Sequence, residues 1–354
     1  MTDQDISTRL LDSVCAANDT GNALCIRGGN SKTFYGRAVA GKPLDVAAHR
    51  GIVNYEPTEL VISARAGTLL SELEQALDAQ QQMLAFEPPH YGDGATLGGT
   101  IACNLSGPRR ACAGAARDFV LGSRIINGTG EILSFGGEVM KNVAGYDVSR
   151  LMCGALGTLG VLLEVSLKVL PRPQAETTLS LQLSDRDALR KMHGWAQQPL
   201  PVSATCYDGS SLYIRLSGTQ GAVSAARKLI GGEELPDGGL FWRRLREQRH
   251  AFFSTQQTLW RLSLASATPP LSVPGKWLYE WGGALRWLVS DAAPEAIRAV
   301  AESAGGHATL FRGGDHGGAV FHPLPDGLMQ VHKKLKRAFD PNGIFNPGRM
   351  YPDI

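Results

Sequence analysis

Apolar positions over the first 173 residues switch between a helical and an extended spacing. Ile6, Leu10, Leu11, Val14 and Cys15 fall at i, i+4, i+5, i+8 and i+9, which predicts a helix over residues 6–18, ending near Asn18 to Gly21. Leu24-Cys25-Ile26 predicts a short strand that runs straight into Arg27-Gly28-Gly29-Asn30-Ser31-Lys32. Residues 52–55 and 60–65 predict two strands with a turn at Pro57-Thr58. Leu69, Leu70, Leu73, Ala76 and Leu77 form the apolar face of the next helix. Further on, residues 118–122 and 123–127 read as a strand pair, and Gly128-Thr129-Gly130 as a turn into a strand over 131–135. A short helix is predicted over 148–153, then a strand over 161–170 closed by Pro171-Arg172-Pro173.

Beyond that boundary the pattern changes. Strands are predicted at 179–183, 204–207, 212–216, 259–264, 276–279, 285–289 and 307–311. Helices are predicted at 185–198, 220–230 and 294–303, the last opened by Asp291. Strands alternate with helices twice, which predicts a small antiparallel α+β domain with two related halves. Between the halves, residues 241–253 predict a basic amphipathic helix. A second basic helix over 331–339 stops at Asp340-Pro341, and the turn Asn346-Pro347-Gly348 follows. The expected domains are 1–173 in two parts (about 1–65 and 66–173), a cap domain 174–330, and a tail 331–354 returning to the first.

Composition narrows the function classes. With 354 residues, 43% of them hydrophobic, the chain can bury large cores. A net charge of +2 speaks against a nucleic-acid partner. The six cysteines show no C-x-x-C spacing and no histidine at ligand distance, so no metal or iron–sulfur site is expected from this chain alone. Such scattered thiols suit the cytoplasm. The first residues do not form a signal peptide, and no apolar run is long enough to span a membrane.

The 42 glycines gather in clusters. Gly92-x-Gly94-x-x-x-Gly98 is one residue off the dinucleotide fingerprint, and Glu87-Pro88-Pro89 precedes it where a strand should, so a Rossmann site is disfavoured. The second cluster is Gly154, Gly157 and Gly160. Dense glycine costs chain entropy, and one common return is a backbone brought close to a ligand. The turn after Arg27 can point several N–H groups one way, as phosphate nests do, although taken alone it also reads as an ordinary hairpin turn. Together the clusters predict the floor of a site for something long and anionic.

The ordered set of stretches is more specific than any one of them. The turn Arg27-Gly28-Gly29-Asn30-Ser31, the segment 94–107 and the segment 157–161 follow in order. Lys141-Asn142-x-x-Gly145-Tyr146-Asp147 lies between, and Phe339-Asp340-Pro341 to Asn346-Pro347-Gly348 ends the set. On these the chain resembles the FAD-binding flavoproteins of the vanillyl-alcohol oxidase/p-cresol methylhydroxylase type, over about 23–173 plus 336–349. Within that family it is most similar to the smaller FAD-binding subunits of bacterial glycolate oxidases. Pointers to that branch are Arg27 to Lys32, Leu310-Phe311-Arg312-Gly313-Gly314, and Gly343-Ile344-Phe345-Asn346-Pro347-Gly348-Arg349-Met350-Tyr351.

The resemblance implies an α+β fold, with a two-part FAD-binding domain and a small antiparallel α+β cap. It implies that FAD is held by Arg27, Gly28, Gly29, Asn30, Ser31, Gly94, Ala95, Thr96, Leu97, Gly98, Gly99, Thr100, Asn104, Ser106, Gly107, Gly157, Gly160, Val161 and Asn346. Where covalent relatives carry a His or Cys, this chain has Asn30 and residues 93–96, so the expected flavin is non-covalent. The implied reaction oxidises a small 2-hydroxy acid, glycolate, to glyoxylate. The implied partners are a longer flavin subunit and an iron–sulfur subunit that takes the electrons. Two alternatives stand beside it: a non-catalytic flavin-bearing or electron-transfer subunit, and a stand-alone oxidase of a sugar lactone. Arg312, His316 and His322 are the cap-side cluster that could supply an anion-binding group and a base; ordinary loop roles are the other reading of them and of His90. The expected location is the cytoplasm, free or attached peripherally to the inner face of the membrane through the complex.

Overall fold

The computed structural model describes residues 3–137 and 147–354. The stretch from Lys141 to Tyr146 lies outside the described residues. The chain divides into two compact units: unit 1 takes Met1–Leu105, Ala115–Pro171 and Pro323–Ile354, and unit 2 takes Ser106–Gly114 and Arg172–His322.

In unit 1 the helix Ser7–Thr20 buries Leu10, Val14 and Ala17 and ends at Gly21, whose φ of 65° needs a residue without a Cβ. Strand β1 (Leu24–Arg27) pairs in parallel with β2 (Lys42–Asp45). Next come β3 (Ile52–Glu56), β4 (Val61–Arg65), the helix Leu70–Asp78 and β5 (Gln82–Met83). Then come β6 (Val120–Ile126), β7 (Ile132–Gly136), β8 (Val161–Lys168) and β9 (Leu170–Pro171). An antiparallel sheet runs in the order β3-β4-β8-β6-β7, and β5 pairs with β9. In β8, Val161, Leu163, Val165 and Leu167 alternate inward, the mark of a sheet with one deeply buried face. Val161 and Leu163 meet Leu10, Val14, Leu24, Leu44, Ile126 and Phe345 in one core.

One strand expectation is corrected. Residues 118–122 and 123–127 are not a pair; Val120–Ile126 is one continuous strand, entered from the helical turn Ala116–Phe119. Six of its seven residues are buried, so apolar and polar positions do not alternate. Gly122 lies mid-strand between Ser166 and Gly136, where a side chain would strike Gly137.

Unit 2 is built on an eight-stranded antiparallel sheet. Its strands are β10 (Ala175–Gln182), β11 (Val202–Tyr207), β12 (Ser211–Gly218), β13 (Glu233–Glu234), β14 (Leu259–Ser263), β15 (Lys276–Glu280), β16 (Leu285–Val289) and β17 (His307–Arg312). The order is β13-β10-β12-β11-β15-β16-β14-β17. Each half thus places its fourth strand beside its first and its third beside its second, and the halves join where β11 pairs β15. The first half carries helices Asp185–Ala196 and Gln220–Ile230; the second carries only Pro294–Ser303. Where the second half would have its other helix, residues 264–275 form a loop pinned by Arg286. That side chain is fully buried, donates Nε to the Gly283 carbonyl (3.1 Å) and Nη1 to Pro269 (2.7 Å), and bonds Thr268. It also stacks 4.8 Å from the Tyr279 ring.

Two helix expectations are corrected here. Asp291 does not open the helix Pro294–Ser303: Ala293 is the N-cap, Pro294 sits in the first turn, and the Asp291 carboxylate accepts from Gln257 Nε2 at 2.6 Å. The basic helix runs Gly238–Arg246, not 241–253. Gln248, at φ 53°, breaks it, and Ala251–Phe253 is a separate 3-10 turn.

Candidate functional site

The glycine turns converge in unit 1. From β1 the chain enters Gly28-Gly29, which pack against residues 94–96. The stretch 94–99 is a turn only as far as Thr96. Thr96 caps the helix Leu97–Cys103, its Oγ1 accepting the Gly99 N–H at 3.3 Å. A Cβ on Gly28 would lie 2.5 Å from Thr96 Oγ1, and one on Gly29 would lie 1.3 Å from the Gly94 carbonyl oxygen. Gly29 is therefore required by backbone packed on backbone, a stronger constraint than approach to a ligand; a Cβ on Gly94 would make a tight 3.0 Å contact with the Gly29 carbonyl oxygen.

The third turn joins through the C-terminal tail. Gly157 has φ 71°, and a Cβ there would lie 2.7 Å from Asn346 Nδ2. Asn346 Oδ1 accepts the Ile26 N–H at 2.8 Å, and its Nδ2 donates to the Leu156 carbonyl at 2.7 Å. One buried amide thus ties β1, the third turn and the tail. A buried ion pair holds the tail: Lys336 Nζ donates to Asp340 Oδ2 (2.7 Å), Thr158 O (2.8 Å) and Phe345 O (2.7 Å). Asp340 in turn accepts the N–H groups of Ile344 and Phe345. Burial lowers the Lys336 pKa, and the Asp340 carboxylate opposes that shift.

These segments enclose a cavity of ≈ 540 Å³, with a smaller one of ≈ 80 Å³ beside it. The larger lies in the usual range for a small-molecule site, about 300–1,000 Å³. Arg27, Lys32 and Arg349 all line it, and among its described lining residues none is acidic. Lys32 is 7% exposed and donates to Ser31 Oγ (3.3 Å) and the His90 carbonyl (3.2 Å). Arg349 donates to the carbonyls of Arg37 (2.7 Å) and Thr33 (3.2 Å). Cys25 and Cys103 also line the cavity. Burial pushes the Cys103 thiol up, while Lys32 and Arg349 pull it down. A hollow lined by three cations and no described acidic residue fits a long anionic cofactor such as FAD. Residues 28–31, Lys32, Thr96 and Arg349 would hold its phosphates.

Of the residues named from the sequence, Arg27, Gly28, Gly29, Asn30, Ser31, Thr96, Gly99 and Asn346 line the larger cavity. Gly98, Gly157 and Gly160 line the smaller. Gly94 stands behind Gly29. Ala95, Leu97, Thr100 and Val161 are buried in the packing below. Asn104 ends the helix Leu97–Cys103 at φ 51°, and its Oδ1 accepts the Arg117 N–H. Ser106 and Gly107 belong to unit 2, where the Gly107 carbonyl accepts Trp281 Nε1 at 3.0 Å. Sequence reasoning missed Lys32, Arg349, Cys25, Ala102 and Cys103. A helical reading of 97–103 would have found two of them, because Gly99, Ala102 and Cys103 share one face at i, i+3 and i+4.

The cap-side candidates lie in unit 2. Arg312 donates to Gln248 Oε1, His322 Nδ1 accepts the Ala308 N–H at 3.5 Å, and His316 sits on the loop after β17. Among the described residues no group of three or more His, Cys, Asp or Glu could hold a metal ion. In unit 1, His90 Nε2 lies 3.1 Å from Glu74.

Comparison with known proteins places these features. Residues 8–136 match the FAD binding domain family, and 324–350 match the C-terminal domain of FAD linked oxidases. The chain is 55% identical over 350 residues to glycolate oxidase subunit GlcE of Escherichia coli (strain K12), covering 99% of both chains. It is 32% identical over 139 residues to glycolate oxidase subunit GlcD of Bacillus subtilis (strain 168), 39% of this chain and 29% of that protein. Among solved structures, p-cresol methylhydroxylase with substrate bound aligns at a TM-score of 0.69 with 14% identity, over 99% of this chain and 88% of that one. An alkyldihydroxyacetonephosphate synthase aligns at 0.67 with 16% identity, over 96% and 75%. These structural likenesses show the expected α+β fold of the p-cresol methylhydroxylase type. Among the described residues no helix is long and apolar enough to cross a membrane.

Proposed function

The chain belongs to the FAD-binding family that includes glycolate oxidase subunit GlcE, and from that premise we propose that it is the FAD-binding subunit of a glycolate oxidase complex. One observation carries the reading: a cation-lined cavity built from three glycine turns, in a chain that aligns end to end with such a subunit. FAD, when bound, supplies the acceptor for the hydride leaving the alcohol carbon of a 2-hydroxy acid. The chain's own residues fix the cofactor: residues 28–31 bring backbone to the cavity wall, Lys32 and Arg349 supply charge, and the Gly29–Gly94 contact sets the spacing of the turns. The hold is non-covalent. Electrons leave through a partner, an iron–sulfur subunit working beside a longer flavin subunit, a reading supported by the likeness to two different glycolate oxidase subunits. The complex works in the cytoplasm or at the inner face of the membrane.

A second reading keeps the flavin but assigns substrate oxidation to the longer subunit. It is favoured by the engagement of Arg312 and His322 within the protein, by Gln248 Oε1 and by the Ala308 N–H. The test is to mix the purified, flavin-loaded chain with glycolate or D-lactate without oxygen. Bleaching of the visible flavin bands supports oxidation by this chain; unchanged bands assign it to the partner. A chain that takes up no flavin overturns both readings.

A further inference from the structure

Besides the glycine turns, Thr33, Ala38 and Val39 of the loop 33–39 and Asn346 and Arg349 of the C-terminal segment line the large cavity. We propose that the C-terminal segment 346–351 is a clasp closing this cavity, with Arg349 as its latch, so that cofactor retention and anchoring of the tail are coupled. The inference rests on the reading that the cavity holds FAD.

Four hydrogen bonds join loop and tail, and they are reciprocal. Arg37 N–H donates to the Arg349 carbonyl at 2.9 Å, and Arg37 Nε donates to Gly348 O at 3.0 Å. In return Arg349 Nη1 and Nη2 donate to the carbonyls of Arg37 and Thr33. The fork of Arg349 thus spans the loop at two points, which a lysine could not do. The contact is tight: Gly36 lies at φ 93°, and a Cβ there would sit 3.1 Å from the Arg349 carbonyl oxygen and 3.2 Å from its Nε. Behind the latch, Asn346 bonds Ile26 and Leu156, so the same short segment holds β1 and the third turn.

Charge supplies the coupling. Arg349 is half-buried, and among the described residues no carboxylate pairs with it; its acceptors are two carbonyls. Burial disfavours its charged form. An anion in the cavity would relieve that cost and strengthen the latch. By linkage, a latch that tightens with cofactor must also tighten the cofactor. Arg349 therefore acts on the flavin in two ways, by its charge in the cavity lining and by holding the loop 33–39.

The experiment measures FAD and riboflavin affinity of the full chain, together with backbone hydrogen exchange at 33–39 and 346–351 with and without FAD. Arg349→Gln is expected to weaken FAD at least about tenfold, with a smaller loss for riboflavin, which has no phosphate. Arg349→Lys is expected to fall between, keeping charge without the fork. FAD should slow exchange in both segments of the wild-type chain. The clasp is overturned if Arg349→Gln binds FAD as well as wild type, or if FAD protects residues 28–31 and leaves 346–351 unchanged. If Arg349→Gln fails to fold, Arg349→Lys and wild-type exchange decide. A wild-type chain that binds no FAD removes the underlying reading, and the clasp with it.

Discussion

At Gly29 a single added methyl group would meet the Gly94 carbonyl oxygen at 1.3 Å, a contact that no rotamer change relieves. Gly29→Ala is expected to cost about 3 kcal/mol and to abolish flavin binding; a urea melt and the visible spectrum check both. Gly194 is the opposite case. It lies inside the helix Asp185–Ala196, and an added methyl group would meet nothing within 4 Å, so Gly194→Ala should stabilise by about 0.5–1 kcal/mol. His49 has no exposure; Nδ1 accepts the Ile6 N–H at 3.2 Å and Nε2 has no partner among the described residues. Burial holds its pKa below the usual 6.5, partly offset by Asp5. The unfolded chain therefore binds the His49 proton more readily than the folded one. Its contribution is complete above pH 6.5 and is lost as pH falls below that value toward the folded pKa. Wild type should lose more stability between about pH 7.5 and 5.5 than His49→Gln does, read from urea midpoints; equal losses would count against it.

At the scale of elements, the helix Asp326–Phe339 matters chiefly for where it ends. Lys336 is its one buried residue, and its ammonium is shared between the Asp340 carboxylate and two carbonyls. Removing one charge strands the other in a dry site. Asp340→Asn is expected to cost about 3–5 kcal/mol and to loosen the tail, and Lys336→Met with Asp340→Asn should cost less than Asp340→Asn alone. Thermal melts of the three variants decide. Cations in the last turn of a helix complement its dipole, and Arg337 conforms. Lys336 does not: burial among distant carbonyls, invisible in the local pattern, gives it a structural role.

At the scale of the whole molecule, the cysteines report cofactor occupancy. Cys25 and Cys103 line the cavity, Cys112 is exposed and Cys206 is buried. Burial pushes the thiols of Cys103 and Cys206 upward, so alkylation is best run above about pH 8.5. FAD should shield Cys25 and Cys103, while Cys112 labels with or without it and Cys206 labels in neither state. Peptide mass spectrometry reads all four. Equal labelling of Cys103 with and without FAD would place the cofactor elsewhere. The halves of unit 2 make a related point: strand and helix alternation showed the repeat, but the pairing of β11 with β15 that joins the halves came from the fold.

Elements governed by neighbouring residues could be read directly from the chain: the helix at Gln220–Ile230, the inward alternation of β8, the turn that begins at Gly28. So could the need for glycine at 29, though not its cause. Only the tertiary structure made residues 120–126 one strand, set Gly94 behind Gly29, and brought Lys32, Cys103 and Arg349 to one cavity. The physical reason is range. Periodicity and turn chemistry act over a few residues, whereas a cavity wall is set by contacts such as Asn346 with Ile26, 320 positions apart, whose energy belongs to the packed chain and to neither segment alone.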